Sequence, residues 1–166
     1  MIKNILKIAN LKTVFALVLY MFFRNENKAI RAYEIKEDSM KPALLPDEFV
    51  LASKVSNVPV RGDMVIFNNS EKNIDVVKRV IGLPGEEVES QDGSILINSE
   101  IINDPWAKSF VDDFIKIQLR ADEIFVLGDQ RTLSSSDSRT VGPIKYSECW
   151  KIRVRYWPYY RFRMYE

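Results

Sequence analysis

The sequence contains no histidine, and Cys149 is its only cysteine. The absence of histidine excludes a Ser-His-Asp or Cys-His catalytic group and any metal site with imidazole ligands. One thiol can form neither an internal disulfide nor a zinc site of several cysteines. We therefore predict no metal and no cofactor, and we interpret Cys149 as a small structural residue in a strand beside Trp150.

The composition excludes two further classes of protein. The chain has 166 residues, of which 46% are hydrophobic and 28% are charged, so it is not an intrinsically disordered protein. The net charge of +1 gives no electrostatic reason to expect a nucleic-acid partner. The length favours one folded domain with short appendages.

A mainly apolar segment, residues 5–23 (ILKIANLKTVFALVLYMFF), lies near the N-terminus. As a helix it would be roughly 28 Å long, close to the hydrocarbon thickness of a bilayer. Lys7 and Lys12 could extend to the interface on their long side chains. No small-x-small cleavage site follows. We predict an uncleaved membrane anchor over residues 1–24 and a polar linker over 25–34. The alternatives are an amphipathic helix and a cleaved signal peptide.

Short apolar runs separated by turn signals predict a mostly β domain over residues 35–166. The runs are residues 49–52 (FVLA), 64–67 (MVIF), 74–81 (IDVVKRVI), 124–128 (IFVLG) and 150–156 (WKIRVRY). Residues 88–98 predict a hairpin around Asp92 and Gly93. In the last run the apolar residues alternate with Lys151, Arg153 and Arg155, so the basic side chains should share the opposite face.

Two residues are candidates for chemistry. Lys78 lies in an apolar strand, with Val76 and Val80 on its own face. Desolvation there would lower the pKa of the amine and leave it neutral, able to accept a proton. Ser39 lies beside Met40 on an irregular segment that contains two prolines. With histidine absent, an activated serine would need lysine or a carboxylate as its base. Each residue alone also fits an ordinary role, Lys78 in solvent and Ser39 in a turn.

Four segments occur in the order found in type I signal peptidases, and the chain resembles that Ser–Lys protease family, which includes the mitochondrial inner-membrane peptidases. The segments are residues 39–44 (SMKPAL), 61–65 (RGDMV), 78–86 (KRVIGLPGE) and 128–139 (GDQRTLSSSDSR). The resemblance covers the N-terminal apolar segment and about residues 35–158. It departs from the family pattern at Glu37, where Ser or Gly is usual, at Ala43 for Thr, and at Gln130 for Asn.

The resemblance implies a signal-peptidase-like catalytic fold with an N-terminal transmembrane helix. It implies that Ser39 is the nucleophile, that Lys78 is the general base and that a covalent acyl-enzyme forms. The Ser39 backbone N–H would donate to the oxyanion, with Met40 as a supporting neighbour. A carboxylate beside a developing oxyanion opposes it, so Glu37 would have to point away.

The last of the four segments implies further supporting residues. A serine there would orient the lysine: counting back from residues 137–139 gives Ser135, whereas counting forward from Gly128 gives Ser134. The resemblance also implies that Arg79 pairs with Asp137, and that Arg139 supports the same loop.

The resemblance also extends to domains, partners and location. Residues 88–120 would form a small accessory β insertion carrying Trp106 and Phe110. The aromatic tail, residues 156–165 (YWPYYRFRMY), would contact the membrane interface or pack at the domain edge. The protein would be a single-pass protein of the cell membrane, with its catalytic domain on the extracytoplasmic side.

Its substrates would be secreted preproteins with small residues at positions −1 and −3 of the cleavage site. One alternative is a catalytically inactive signal-peptidase-like chaperone in the assembly of surface proteins or pili. Another is a self-cleaving Ser–Lys repressor, which would require an N-terminal DNA-binding domain where this chain has an apolar segment.

Overall fold

The computed structural model describes residues 30–165 and, before them, Thr13, Val14 and Leu17. Apart from those three positions, the predicted membrane anchor lies outside the described residues, as does the predicted linker up to residue 29. Within the part of the chain that the structure describes, no helix has the length and apolar character needed to cross a bilayer.

The described chain is mostly β, as the sequence predicts. Its strands are β1 (Ile30–Glu34), β2 (Phe49–Lys54), β3 (Met64–Asn69), β4 (Ile74–Gly82), β5 (Glu87–Gln91), β6 (Ser94–Ile97), β7 (Glu100–Ile101), β8 (Phe114–Gln118), β9 (Glu123–Leu127), β10 (Ile144–Lys145), β11 (Trp150–Trp157) and β12 (Arg163–Met164). A short helix, α1 (Ser138–Val141), and three 3-10 turns (Arg131–Leu133, Tyr146–Glu148 and Tyr159–Arg161) lie between them.

The main sheet has the strand order β1-β2-β11-β3-β4-β9-β10, with β12 beside β11. Its strand pairs are antiparallel. The late strand β11 lies between β2 and β3, so the C-terminal part of the chain is built into the middle of the sheet. A second sheet, with the order β7-β6-β5-β8, lies within the predicted insertion of residues 88–120, extended by one residue at its start.

The predicted hairpin of residues 88–98 is present as β5 and β6. Asp92 and Gly93 join the two strands with φ values of 51° and 75°. Two consecutive positive φ values are the geometry that an Asp-Gly turn favours. Of the two aromatic residues in this region, Phe110 is 83% exposed, whereas Trp106 packs against the apolar cluster of the second sheet.

Three local features differ from the prediction. Residues 30–34, assigned to the linker, form β1 and pair with β2. Cys149 is buried, but it lies between a 3-10 turn and β11 rather than in a strand. Arg155 is only 7% exposed. Register shifts on both sides of Arg155 break the simple alternation of β11, so this basic residue does not share an outward face with the others.

The segment that joins β1 to β2 is irregular, yet it is packed into the core. Met40 and Leu44 from this segment are fully buried in a cluster of apolar side chains from β2, β3 and β11. Burial of each such side chain contributes roughly 1.5–3 kcal/mol. The segment is therefore held against the sheet by packing, although it forms no strand of its own.

Candidate active site

Ser39 lies on the segment between β1 and β2 and is 2% exposed. Directly after it the chain turns, because the Leu44 N–H donates to the Met40 carbonyl at 2.9 Å. The carbonyl of Ser39 itself accepts a hydrogen bond from the Gln130 N–H at 3.0 Å. The serine is therefore fixed between the buried turn that follows it and the loop after β9.

Lys78 lies on β4 and is 1% exposed. Its Nζ atom is 2.9 Å from Ser39 Oγ, and it also donates to the carbonyl oxygen of Val77 at 2.9 Å. The two residues that the sequence selects as candidates are thus in direct contact, although they are 39 positions apart in the chain. A hydroxyl and an amine at this distance can exchange a proton.

Burial lowers the pKa of the Lys78 amine, because an ammonium group loses hydration in a dry site. The nearby carboxylates of Asp137, Glu37 and Asp129 oppose this shift, and the positive charge of Lys72 reinforces it. Desolvation is the largest of these effects, so the neutral amine is favoured relative to an exposed lysine. A neutral amine has the lone pair that a general base requires.

Of the two serines that counting left open, only Ser134 is buried. Its Oγ donates to Asp137 Oδ2 at 2.6 Å, whereas Ser135 is exposed. The hydrogen bonds that the structure gives Lys78 Nζ go to Ser39 and Val77 rather than to either serine. Ser134 therefore binds a carboxylate, Asp137, whose charge raises the pKa of the Lys78 amine.

The predicted pairing of Arg79 with Asp137 is wrong. Arg79 forms a buried, two-pronged pair with Asp129, with Nε to Oδ1 at 2.7 Å and NH2 to Oδ2 at 2.6 Å. Asp137 pairs with Arg139 at 2.9 Å and caps α1. The pairing of β4 with β9 explains the difference. Arg79 lies opposite Leu127, the last residue of β9, so the residues just after β9 lie beside the Arg79 side chain.

Gly128 allows the loop after β9 to approach the nucleophile closely. A Cβ atom at this position would lie 2.6 Å from Ser134 Oγ and 2.9 Å from the carbonyl oxygen of Ser39. Any larger residue would push these groups apart. The glycine of the fourth sequence segment therefore has a steric role at the site, which the motif alone does not reveal.

Ser39 and Lys78 open onto a cleft of about 350 Å³. Its walls are formed by residues 33–37, which comprise the end of β1 and the three residues after it, and by residues 74–78 of β4. Glu37 is exposed and lines this cleft together with Ser39 and Lys78. The carboxylate at this position thus shares the cleft with the two candidate residues.

Sequence reasoning missed one lysine near the site. Lys72, in the turn between β3 and β4, donates through Nζ to Ser136 Oγ at 2.9 Å. The bond ties this turn to the loop that carries Ser134 and Asp137. Lys72 belongs to none of the four segments, and no local pattern distinguishes it from other exposed lysines.

Comparison with known proteins agrees on one family. The family described as signal peptidase, peptidase S26, matches residues 5–157. The chain is 32% identical to signal peptidase I of Bacillus caldolyticus over 149 residues, which is 78% of this chain and 81% of that protein. It is 31% identical to signal peptidase I P of Bacillus subtilis subsp. natto over 137 residues, 74% of either chain. A crystal structure of a signal peptidase I from Enterococcus faecalis V583 has 29% sequence identity and a TM-score of 0.49, covering 57% of this chain and 96% of that one.

Proposed function

The chain belongs to the signal peptidase family, peptidase S26, and from this we propose that it removes signal peptides from preproteins with Ser39 as nucleophile and Lys78 as general base. The observation that carries the assignment of these two residues is the 2.9 Å contact between Ser39 Oγ and a lysine amine that is 1% exposed. A serine protease without histidine needs another base, and this amine is the group in contact with the hydroxyl.

The first half of the reaction forms an acyl-enzyme. Ser39 Oγ attacks the scissile carbonyl carbon while its proton passes to Lys78 Nζ. The carbon–nitrogen bond then breaks, and the Lys78 ammonium gives this proton to the leaving amine. The mature protein departs, and the signal peptide remains bound to Ser39 as an ester.

The second half releases the signal peptide. Lys78, neutral again, takes a proton from a water molecule that attacks the ester carbonyl. The ester bond breaks, and Lys78 returns the proton to Ser39 Oγ. In both halves the backbone N–H of Ser39 stabilises the negative charge that develops on the carbonyl oxygen.

The cleft suggests how a preprotein would bind. β1 is the edge strand of the described main sheet. Residues 74–78 of β4 are paired with β3, while β9 pairs with β4 only from Arg79 onward, so each wall of the cleft presents a strand edge. An extended peptide can add hydrogen bonds to such edges. Small side chains at positions −1 and −3 would fit shallow pockets there. We place the catalytic domain outside the cytoplasm, held to the cell membrane by residues 1–24.

The test is cleavage of a purified preprotein by the full chain in detergent. Ser39→Ala and Lys78→Ala should abolish processing, whereas the exposed residues Ser70 and Lys116 provide matched controls as Ser70→Ala and Lys116→Ala, which should retain it. Processing that survives in either dyad variant would refute the assignment of that residue. A wild-type chain that binds preproteins without cleaving them would instead indicate a chaperone.

A further inference from the structure

Three charged residues outside the four sequence segments form a cluster, in which Glu48 and Arg155 are buried and Arg161 is partly exposed. Glu48 is 2% exposed, and it lies just ahead of β2. Its Oε2 accepts from Arg155 NH1 at 3.4 Å, and its Oε1 accepts from Arg161 Nε. Arg155 Nε also donates to the carbonyl of Arg161 at 2.7 Å. One carboxylate thus joins β11 to the 3-10 turn that follows it.

The same side chains bind the backbone just after Ser39. Arg155 NH1 donates to the carbonyl of Ala43 at 2.6 Å, and Arg161 NH2 donates to the carbonyl of Pro42 at 3.1 Å. Glu48 Oε2 accepts from the N–H of Leu45 at 2.9 Å. The backbone of three nearby residues, Pro42, Ala43 and Leu45, is therefore held by charged side chains.

These hydrogen bonds fix the orientation of the segment after Ser39, which apolar packing alone does not fix. The burial of Met40 and Leu44 holds the segment against the core, but apolar contacts are not directional. Hydrogen bonds to backbone carbonyls fix orientation, and those from charged donors are about twice as strong as neutral ones. Ser39 itself is tied through its carbonyl to the Gln130 N–H. The serine and the backbone three to six residues after it are thus both anchored.

We propose that Glu48, Arg155 and Arg161 are positioning residues that hold Ser39 in place against Lys78, so that the 3-10 turn Tyr159–Arg161 forms part of the framework of the active site. The inference rests on the proposed dyad. Displacement of a reacting group by about 1 Å can reduce a rate on the order of 100-fold. Loss of one arginine should therefore slow the chemical step more than it weakens substrate binding.

Arg161 is the most suitable position for the test, because its side chain is 29% exposed and it lies in a 3-10 turn outside the sheets. Arg161→Ala should lower kcat by roughly 10- to 100-fold with little change in KM. Arg161→Lys restores the charge opposite Glu48 but not the planar, two-directional donor, so it should recover part of the rate. Arg163→Ala is the matched control, since this exposed arginine of the same tail contacts the ring of Tyr165.

Amide hydrogen exchange of the full chain tests the inference independently of catalysis. In Arg161→Ala, exchange should be faster in residues 40–45 and unchanged in β4 and β9, whereas Arg163→Ala should match the wild type. Unchanged exchange in residues 40–45, or a kcat that falls only as the folded fraction falls, would overturn the inference. An inactive wild-type chain would refute the proposed function, and the exchange measurement would still decide on the positioning role.

Discussion

Lys78 is a charged residue type in a site that disfavours its charge. Burial lowers the pKa of the amine, and the carboxylates of Asp137, Glu37 and Asp129 act against that shift. The balance of these effects sets the pH at which the neutral amine becomes available. Catalysis should therefore increase with pH as the Lys78 ammonium loses its proton, and it should decline on acidification.

The substitution Glu37→Gln tests how strongly a nearby carboxylate affects the pKa of Lys78. The Glu37 carboxylate raises the pKa of Lys78, so its removal should lower that pKa and preserve the neutral amine at lower pH. The rising limb of kcat/KM against pH should then move toward acid, and the rate on its plateau should increase, because a negative charge is removed from the cleft in which the oxyanion develops. Glu100→Gln, on an exposed strand of the second sheet, is the control. A limb that stays in place or moves toward alkaline pH would contradict the expected role of Glu37.

Individual residues differ in how far the sequence could place them. The motifs marked Ser39 and Lys78 because both types stand at fixed positions in ordered segments. They did not decide between Ser134 and Ser135, because the loop is one residue longer than the family pattern, and only the fold shows which hydroxyl is buried. The partner of Arg79 was mispredicted, because it depends on the register between two strands far apart in sequence.

The strand β4 departs from simple alternation of buried and exposed residues. Lys78 and Arg79 are adjacent, and they are 1% and 5% exposed. Strand neighbours point to opposite faces, so both faces of β4 must be covered at this point. The Ser39 segment lies on one side, while Asp129 and Trp106 meet the Arg79 side chain on the other. A sequence pattern cannot distinguish such a strand from a half-exposed one, since the covering groups come from elsewhere in the chain.

Removal of Asp129 should show how much the buried Arg79–Asp129 ion pair contributes to the free energy of unfolding. Asp129→Ala leaves the Arg79 guanidinium buried without its carboxylate, which typically costs about 3–5 kcal/mol. Urea denaturation should record this loss in the free energy of unfolding. Glu87→Ala, which breaks the more exposed pair with Lys116, should cost less than about 1 kcal/mol. An equal loss of unfolding free energy in the two variants would show that the buried pair stabilises the fold no more than the exposed pair does.

The sequence predicts the fold class and most of the strands, but not the order of the strands in the main sheet. Short β-branched runs and turn residues predict most strands, and the Asp-Gly hairpin follows from its turn chemistry. Strand β1 was missed because its sequence, IRAYE, carries two charges and follows a polar stretch. The insertion of β11 between β2 and β3 depends on contacts between distant segments, which no local pattern reports. The cluster of Glu48, Arg155 and Arg161 results from that insertion, so the sequence could not predict it either.

Among the described residues 30–165, four buried apolar clusters pack the two sheets. A fragment of residues 29–166 should therefore fold by itself and cleave a short soluble peptide at the rate of the full chain. The full chain should stay in the membrane pellet after an alkaline carbonate wash, because about 20 mainly apolar residues are enough to span a bilayer, whereas the fragment should be released. The fragment should cleave preproteins embedded in vesicles more slowly than the full chain does, because it is no longer concentrated at the membrane surface. If the full chain is extracted as readily as the fragment, residues 1–24 are no anchor, and the cleft must recruit its substrates from solution.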